Sequence, residues 1–233
     1  MTAEEPRFHP PDRTTGDLVH ATVKAALGSI PLLGTAAAEL FGLVVAPPLE
    51  RRRREWMREV GEALSRAHVE KAIDLERAAN DDSFLDTALQ ASRLALCNHQ
   101  EEKIYALRNA VVNAAAPQAP SASLQQFFLR LVDEFTVWHL RLLRLFQGPE
   151  AWFTEHATPW PNLHMSRLSH VVEAAFPGLR SRRDIYDQFW RDLYIRGMVS
   201  TEHLHTMMTG GGLASKRTTD LADQFLKFIT SYV

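Results

Sequence analysis

Leu33–Arg54 reads LGTAAAELFGLVVAPPLERRRR, and the reading of the fold begins with the placement of this stretch. Ala25 to Ala38 carries no charged residue, Glu39 interrupts, and Leu40 to Leu49 is uncharged again. Arg51, Arg52, Arg53 and Arg54 follow almost at once. An apolar block backed by arginines has the form of a membrane segment with a basic anchor. Length argues against a simple span. Roughly 20 apolar residues are needed to cross a hydrocarbon core of about 30 Å. A helix from Leu33 to Ala46 reaches only about 21 Å at 1.5 Å per residue. Pro31 kinks any longer helix, and Gly28 and Gly34 weaken it.

Gly34, Ala38, Gly42 and Ala46 recur every four residues. On a helix they form one smooth face against which a second helix can approach closely. Two placements follow: a tightly packed helix inside a soluble core, or an element that self-associates or enters a membrane. Glu39 favours the first, since a carboxylate at the centre of a bilayer helix costs about 2.5–3.5 kcal/mol. Arg51 to Arg54 read as a solvated helix start or as contacts to an anionic phospholipid surface. Their charge opposes the dipole at a helix N-terminus, so they are not optimised for helix stability.

Outward from this block the chain is helical. After Pro47-Pro48, the spacing of Leu49, Trp56, Val60, Ala63 and Ala67 predicts a second helix from Glu50 to about Ala78. Asn80, Asp81, Asp82 and Ser83 read as a stop followed by an N-cap. A long helical region then runs to about Ala116. Asn98, Glu102, Tyr105, Asn109 and Asn113 lie along it at offsets of four, three, four and four. Such a row is a structural polar network if buried. An active site built from amides is the alternative. Pro117 to Ser123 is a loop.

Helical patterns resume at Leu124–Val132 and continue through Trp138, Leu142, Leu143 and Leu145 to Phe146. Prolines and a glycine at Gly148, Pro149, Pro159 and Pro161 mark an inserted loop. Further helices are predicted at Leu168–Ala175, from about Ser181 to Arg196, and from Asp220 to Thr230. Between the last two come Met198-Val199, read as a short strand, and Gly210-Gly211-Gly212, read as a flexible tip. This order resembles a winged helix-turn-helix. Arg180, Arg182 and Arg183 then stand where nucleic-acid contacts are expected, with Lys216 and Arg217 at the wing. Asp184, Asp187 and Asp192 oppose that reading, because they repel a phosphate backbone.

The whole chain has 233 residues, a formal charge of -2, 45% hydrophobic and 23% charged residues. These values exclude bulk disorder and a uniformly basic coat. A single cysteine, Cys97, excludes an internal disulfide framework and a thiolate-rich zinc site. Residues 1–16 read as a flexible tail without a secretory pattern. No phosphate-loop pattern follows Gly210-Gly211-Gly212, and no His-Glu-x-x-His occurs. His203 and His205 share a strand face without a third ligand. Cys97 and His99 are two apart and do not face each other on a helix. His139 and His170 lie among apolar residues. No cofactor, metal site or catalytic residue is expected.

The order of parts has a further resemblance. Ile30-Pro31-Leu32-Leu33-Gly34 opens the apolar region. Asn98-His99-Gln100, Glu101-Glu102-Lys103 and Leu107-Arg108-Asn109-Ala110-Val111-Val112-Asn113-Ala114-Ala115 form the middle. Val132-Asp133-Glu134-Phe135-Thr136, His139-Leu140 and Thr218-Thr219-Asp220-Leu221-Ala222-Asp223-Gln224-Phe225-Leu226 follow. From Leu18 to Ile229 the layout resembles the bacterial abortive-infection protein alpha family and related helical proteins, with Ala222 where the family usually has Gly. The resemblance implies phage defence by a non-enzymatic route, acting at the membrane. It carries over no catalytic residues.

The expectation is therefore a mainly α protein: a helical domain over residues 17–134 and a winged-helix-like domain with a final helix over 135–233. The expected role is a non-enzymatic effector or adaptor with a protein partner or second copy. An anionic membrane surface is a further partner and DNA a less favoured one. A DNA-binding regulator and a protein-interaction scaffold are the alternatives. The expected location is the cytoplasm, or its membrane face where the basic run meets lipid.

Overall fold

The computed structural model describes residues 35–162 and 164–230, with side chains in the first helix described at 42, 45, 46 and from 48 onward. The molecule is mainly helical, at 70% helix. It divides into two compact units, Met1–Glu55 and Trp56–Val233.

Helix α1 runs Thr35–Val69 without a break. The sequence predicts two helices separated by Pro47-Pro48, and the structure joins them. Proline's φ near −65° is compatible with a helix, but each ring removes an N–H donor and crowds the carbonyl four residues back, so the continuity of α1 through the pair runs against the usual effect of proline. The helix stops earlier than expected, short of Ala78. Lys71 takes a left-handed φ of 59°, and Ala72 N–H reaches back to the Ala67 carbonyl at 2.9 Å, with Lys71 N–H on His68. This is a Schellman closure. In the first unit, Gly42 and Ala46 are half-exposed, and no described atom lies within 4 Å of where a Gly42 side chain would begin. Gly34 lies outside the described residues, and Ala38 is described only as part of α1.

In the second unit, Trp56, Ala63 and Ala67 of α1 join the core, and the Trp56 indole donates to Ser92 Oγ at 2.9 Å. Asp74 caps the short α2, Leu75–Ala79. Asp81 caps α3, Asp82–Cys97. The expected long helix is then interrupted, because Asn98 is extended, and α4 begins afresh as Glu101–Ala114. Next come α5, Ala122–Glu134, and α6, Val137–Gln147. They are separated by extended Phe135 and a capping box in which Thr136 N–H donates to His139 Nδ1 at 3.0 Å.

Helix α7 spans Pro149–Glu155. A short antiparallel ladder joins β1, Met165–Arg167, to β2, Met207–Thr209, with Ser166 opposite Met208. Between the strands lie α8, Leu168–Ala175, and α9, Arg183–Ile195. Gly197, at φ 68°, ends α9. Met198-Val199 is not a strand: Val199 makes one bridge to Thr218. The three glycines are not a loose tip either. They open α10, Gly210–Ala214, whose first turn is capped by the Thr209 hydroxyl accepting from Gly212 N–H. A Cβ at Gly212 would stand 3.2 Å from Met208 Cβ, a tight contact that a larger residue meets only if Met208 gives way by a few tenths of an ångström.

The last helix, α11, is Asp220–Ile229. It packs on α4 and α6, and α4 also packs on α3 and α5. One continuous core runs through them. Phe128 sits 5.6 Å from Phe225 and 5.7 Å from Phe228, ring to ring. The polar side chains of α4 close the far end of α11. Asn113 Nδ2 donates to the carbonyls of Phe228 at 2.8 Å and Thr230 at 2.9 Å, and Asn109 Nδ2 to Ile229 at 3.2 Å. We predict that Asn113→Ala lowers stability by about 1–3 kcal/mol, because those carbonyls lose their donor. Asn98→Ala is expected to cost less, since Asn98 reaches only Leu94 of its own helix. Denaturant unfolding monitored by circular dichroism measures both.

Candidate functional site

The site follows from how completely α4 and α6 are buried. On α6, Trp138, Arg141, Arg144 and Gln147 are the residues not buried, at intervals of three. The same spacing on α4 leaves Glu102, Tyr105 and Arg108 outside its core faces. Residues three apart share a helix face, so each helix presents one stripe. Glu102, Tyr105, Arg141, Arg144 and Gln147 line a groove of about 1040 Å³, completed by Trp152, Glu155 and His156 near the end of α7 and by Phe176 after α8.

Charge inside the groove is arranged, not scattered. Arg141 donates to the Glu102 carboxylate and lies over the Trp138 ring at 5.0 Å. The Arg141 hydrogen bond holds the Glu102 carboxyl below its usual range, with the nearby charge of Arg144 adding to the effect. Arg144 itself is exposed, and among the described residues no hydrogen bond or ion pair holds it.

The opposite character comes from α7. Trp152 and His156 stack, with ring centres 3.9 Å apart and planes 15° from parallel. His156 Nδ1 lies 2.8 Å from the Trp152 carbonyl. A carbonyl oxygen only accepts, so Nδ1 carries the proton, and the Nε2 lone pair of the neutral ring is left to accept from elsewhere. Phe176 meets Trp152 edge-on at 5.2 Å.

The residues singled out from the sequence fall differently. Asn98 caps α3, Glu102 and Tyr105 line the groove, and Asn109 and Asn113 bind the end of α11. These five do not form one network, because the chain turns between Asn98 and α4. Arg51 and Arg53 pair with Glu55 and Glu50, both at 3.9 Å and on the surface, where such pairs contribute little. Arg52 is half-buried and Arg54 exposed. The five basic residues of the C-terminal part are largely committed. Arg182 pairs with Asp184 at 3.8 Å, Arg183 with Asp187 at 3.1 Å, and Lys216 with Asp223. Arg217 donates to the Gly212 carbonyl, and Arg180 is exposed.

Three histidine arrangements escape a reading by spacing. His205 Nε2 meets both carboxylate oxygens of Asp187, at 2.7 and 2.9 Å, tying the loop before β2 to α9. His170 bonds Ser166. His203 is exposed beside Glu202. Cys97 and His99 are both exposed. Sequence reasoning missed the groove itself. The available signal was Trp152 and His156 four apart, the spacing of helical neighbours.

His139 is the buried exception. Its ring stacks on Phe135 at 4.9 Å and meets Phe189 at 4.9 Å. Nδ1 accepts from Thr136 N–H, so Nε2 carries the proton and faces Asp192 at 3.6 Å, beyond hydrogen-bond reach. Burial pushes its pKa below the ordinary value, and Asp192 only partly opposes this.

No protein-family model matches the chain, and neither a curated protein nor a solved structure matches it.

The sign for His139 follows from linkage. Its folded pKa is depressed, so below the unfolded value of about 6.5 the unfolded chain binds the extra proton first. Its contribution to stability is therefore complete above that pH and is lost as pH falls through the ordinary histidine range. We predict that His139→Gln flattens this part of the stability profile. Asp192→Asn, which removes the carboxylate that stabilises the imidazolium, is expected to steepen it. Urea midpoints from pH 8 to pH 5 measure both.

Proposed function

We propose that this protein is a non-enzymatic effector or adaptor that acts by binding, with the leading part of α1 as its self-associating or membrane-facing element. The phage-defence setting implied by the family resemblance belongs to the same proposal. The observation that carries it is the half-exposed small-residue face at Gly42 and Ala46, with no described atom near Gly42. A helix surface that small and that open admits a second backbone at close range. Arg51 and Arg54, both exposed a few residues further on, supply attraction to an anionic surface. No helix among the described residues is long and apolar enough to cross a membrane, so the proposed contact is peripheral or between copies.

A second reading, a winged-helix DNA-binding regulator, is favoured by one observation: β1 and β2 pair across α8 and α9, which they bracket in sequence. The ion pairs at Arg182, Arg183 and Lys216 weigh against it, since each must break to meet phosphate. Ile195, 73% exposed at the end of α9, fits a protein-binding face on the same part.

Light scattering and flotation with phosphatidylglycerol vesicles test the first reading. The full chain is expected to self-associate or to float. Gly42→Leu should abolish self-association while raising helix propensity. Changing Arg51 to Arg54 to Gln should abolish flotation. A monomer that stays below the vesicles overturns the proposal, and a salt-dependent DNA shift lost on Arg180→Ala supports the second reading.

A further inference from the structure

The groove between α4, α6 and α7 has a chemistry of its own. None of its residues belongs to α1, so it goes beyond the binding role proposed for that helix. We propose that it binds a small molecule joining a planar ring to one carboxylate or phosphate group.

The anion is assigned by Arg144. Its guanidinium is exposed in the groove, held by no hydrogen bond or ion pair among the described residues, one helical turn from an arginine that is so held. A planar guanidinium fork matches the two oxygens of a carboxylate or phosphate. Arg141 cannot serve in the same way, because it is held by Glu102 and by the Trp138 face. It leaves Arg144 as the positive group available to a ligand, and Glu102 as a carboxylate already neutralised.

The ring is assigned by the α7 wall. Trp152 and His156 are fixed against each other, and Phe176 braces the indole from its edge. Tyr105, 38% exposed, adds a fourth ring from α4. Rigid aromatic surfaces recruit flat ligands with little entropy loss. The His156 Nε2 lone pair, left open by the Nδ1 bond to the Trp152 carbonyl, accepts from an amino or ring N–H.

Charge narrows the class, since a groove of about 1040 Å³ is roomy enough for one ring and one anion without selecting their size. Glu155 lines the same groove and repels a second or third phosphate. A single anionic group beside Arg144 is therefore favoured over a polyphosphate or a nucleic-acid backbone.

Calorimetry on the full chain tests this with four probes: adenosine monophosphate, indole-3-acetate, adenosine and inorganic phosphate. Saturable binding is expected for one or both ring-bearing anions, at least about tenfold tighter than for adenosine or phosphate alone. The two anions distinguish phosphate from carboxylate as the preferred group. Arg144→Ala, a surface change outside the core, should weaken the bound anion about tenfold. Arg144→Lys should recover only part of the loss. Arg180→Ala should change nothing. The proposal is overturned if neither ring-bearing anion binds at millimolar concentration, if inorganic phosphate binds as well as adenosine monophosphate, or if Arg144→Ala binds as the unaltered chain does.

Discussion

Helix α11 ends against the body of the protein, and its last carbonyls have run out of donors within the helix. Asn109 and Asn113 of α4 supply them. The bond to Ile229 is buried and those to Phe228 and Thr230 are partly so, and a buried carbonyl left without a partner carries a penalty of about 1–3 kcal/mol, so the end of α11 is held where these amides reach it. Its aromatic face, Phe225 and Phe228, is thereby set against Phe128 of α5. Because α4 must touch α3, α5 and α11 at once, almost all of its surface is consumed. The groove is what remains. It lies where Glu102 and Tyr105 of α4 face Arg141, Arg144 and Gln147 of α6.

Electrostatics follows the same economy. The near-neutral total charge is built from local pairs: Glu102 with Arg141, Arg183 with Asp187 and His205, Glu134 with Arg196 at 2.5 Å, Lys216 with Asp223. Most of these are exposed and contribute little to stability singly. Their larger effect is on recognition, because a paired arginine is a weaker anion receptor than an unpaired one. The basic residues that resemble a DNA-contacting set are mostly paired, and Arg144, which belongs to no sequence cluster, is not.

What could be read from the sequence follows the rules each element obeys. Asp81, the break before Pro117 and the stop at Gly197 were legible, because caps and glycines act locally. The end of α1 was not, since the left-handed position of its Schellman closure is held by Lys71, where glycine is the usual sign. Pro47-Pro48 misled in the other direction, as prolines also fit inside helical φ. The break at Phe135 depends on a capping box whose third residue is His139, a role usually filled by Glu or Gln. Gly210-Gly211-Gly212 open a helix capped by Thr209, a local signal that three consecutive glycines mask. The groove was illegible for a related reason. Its residues lie more than 70 positions apart between Glu102 and Phe176, and only burial of the other faces selects them.

The two candidate binding elements differ in what they ask of the fold. The small-residue face of α1 needs only a helix, since its smoothness comes from the absence of side-chain bulk at Gly42 and Ala46. The groove needs the whole core. Arg144 is presented because Leu142, Leu143, Leu145 and Phe146 on either side of it are fully buried, and Trp152 is oriented by contacts with Phe176 and with buried Phe153. A ligand that bridges Arg144 and the α7 wall therefore draws on geometry already fixed by folding, with little ordering left to do. Such preorganisation favours discrimination between ligands of similar charge by the shape of the attached ring. The same argument disfavours a long flexible polyanion, whose added phosphates meet Glu155 and no second unpaired arginine of the groove.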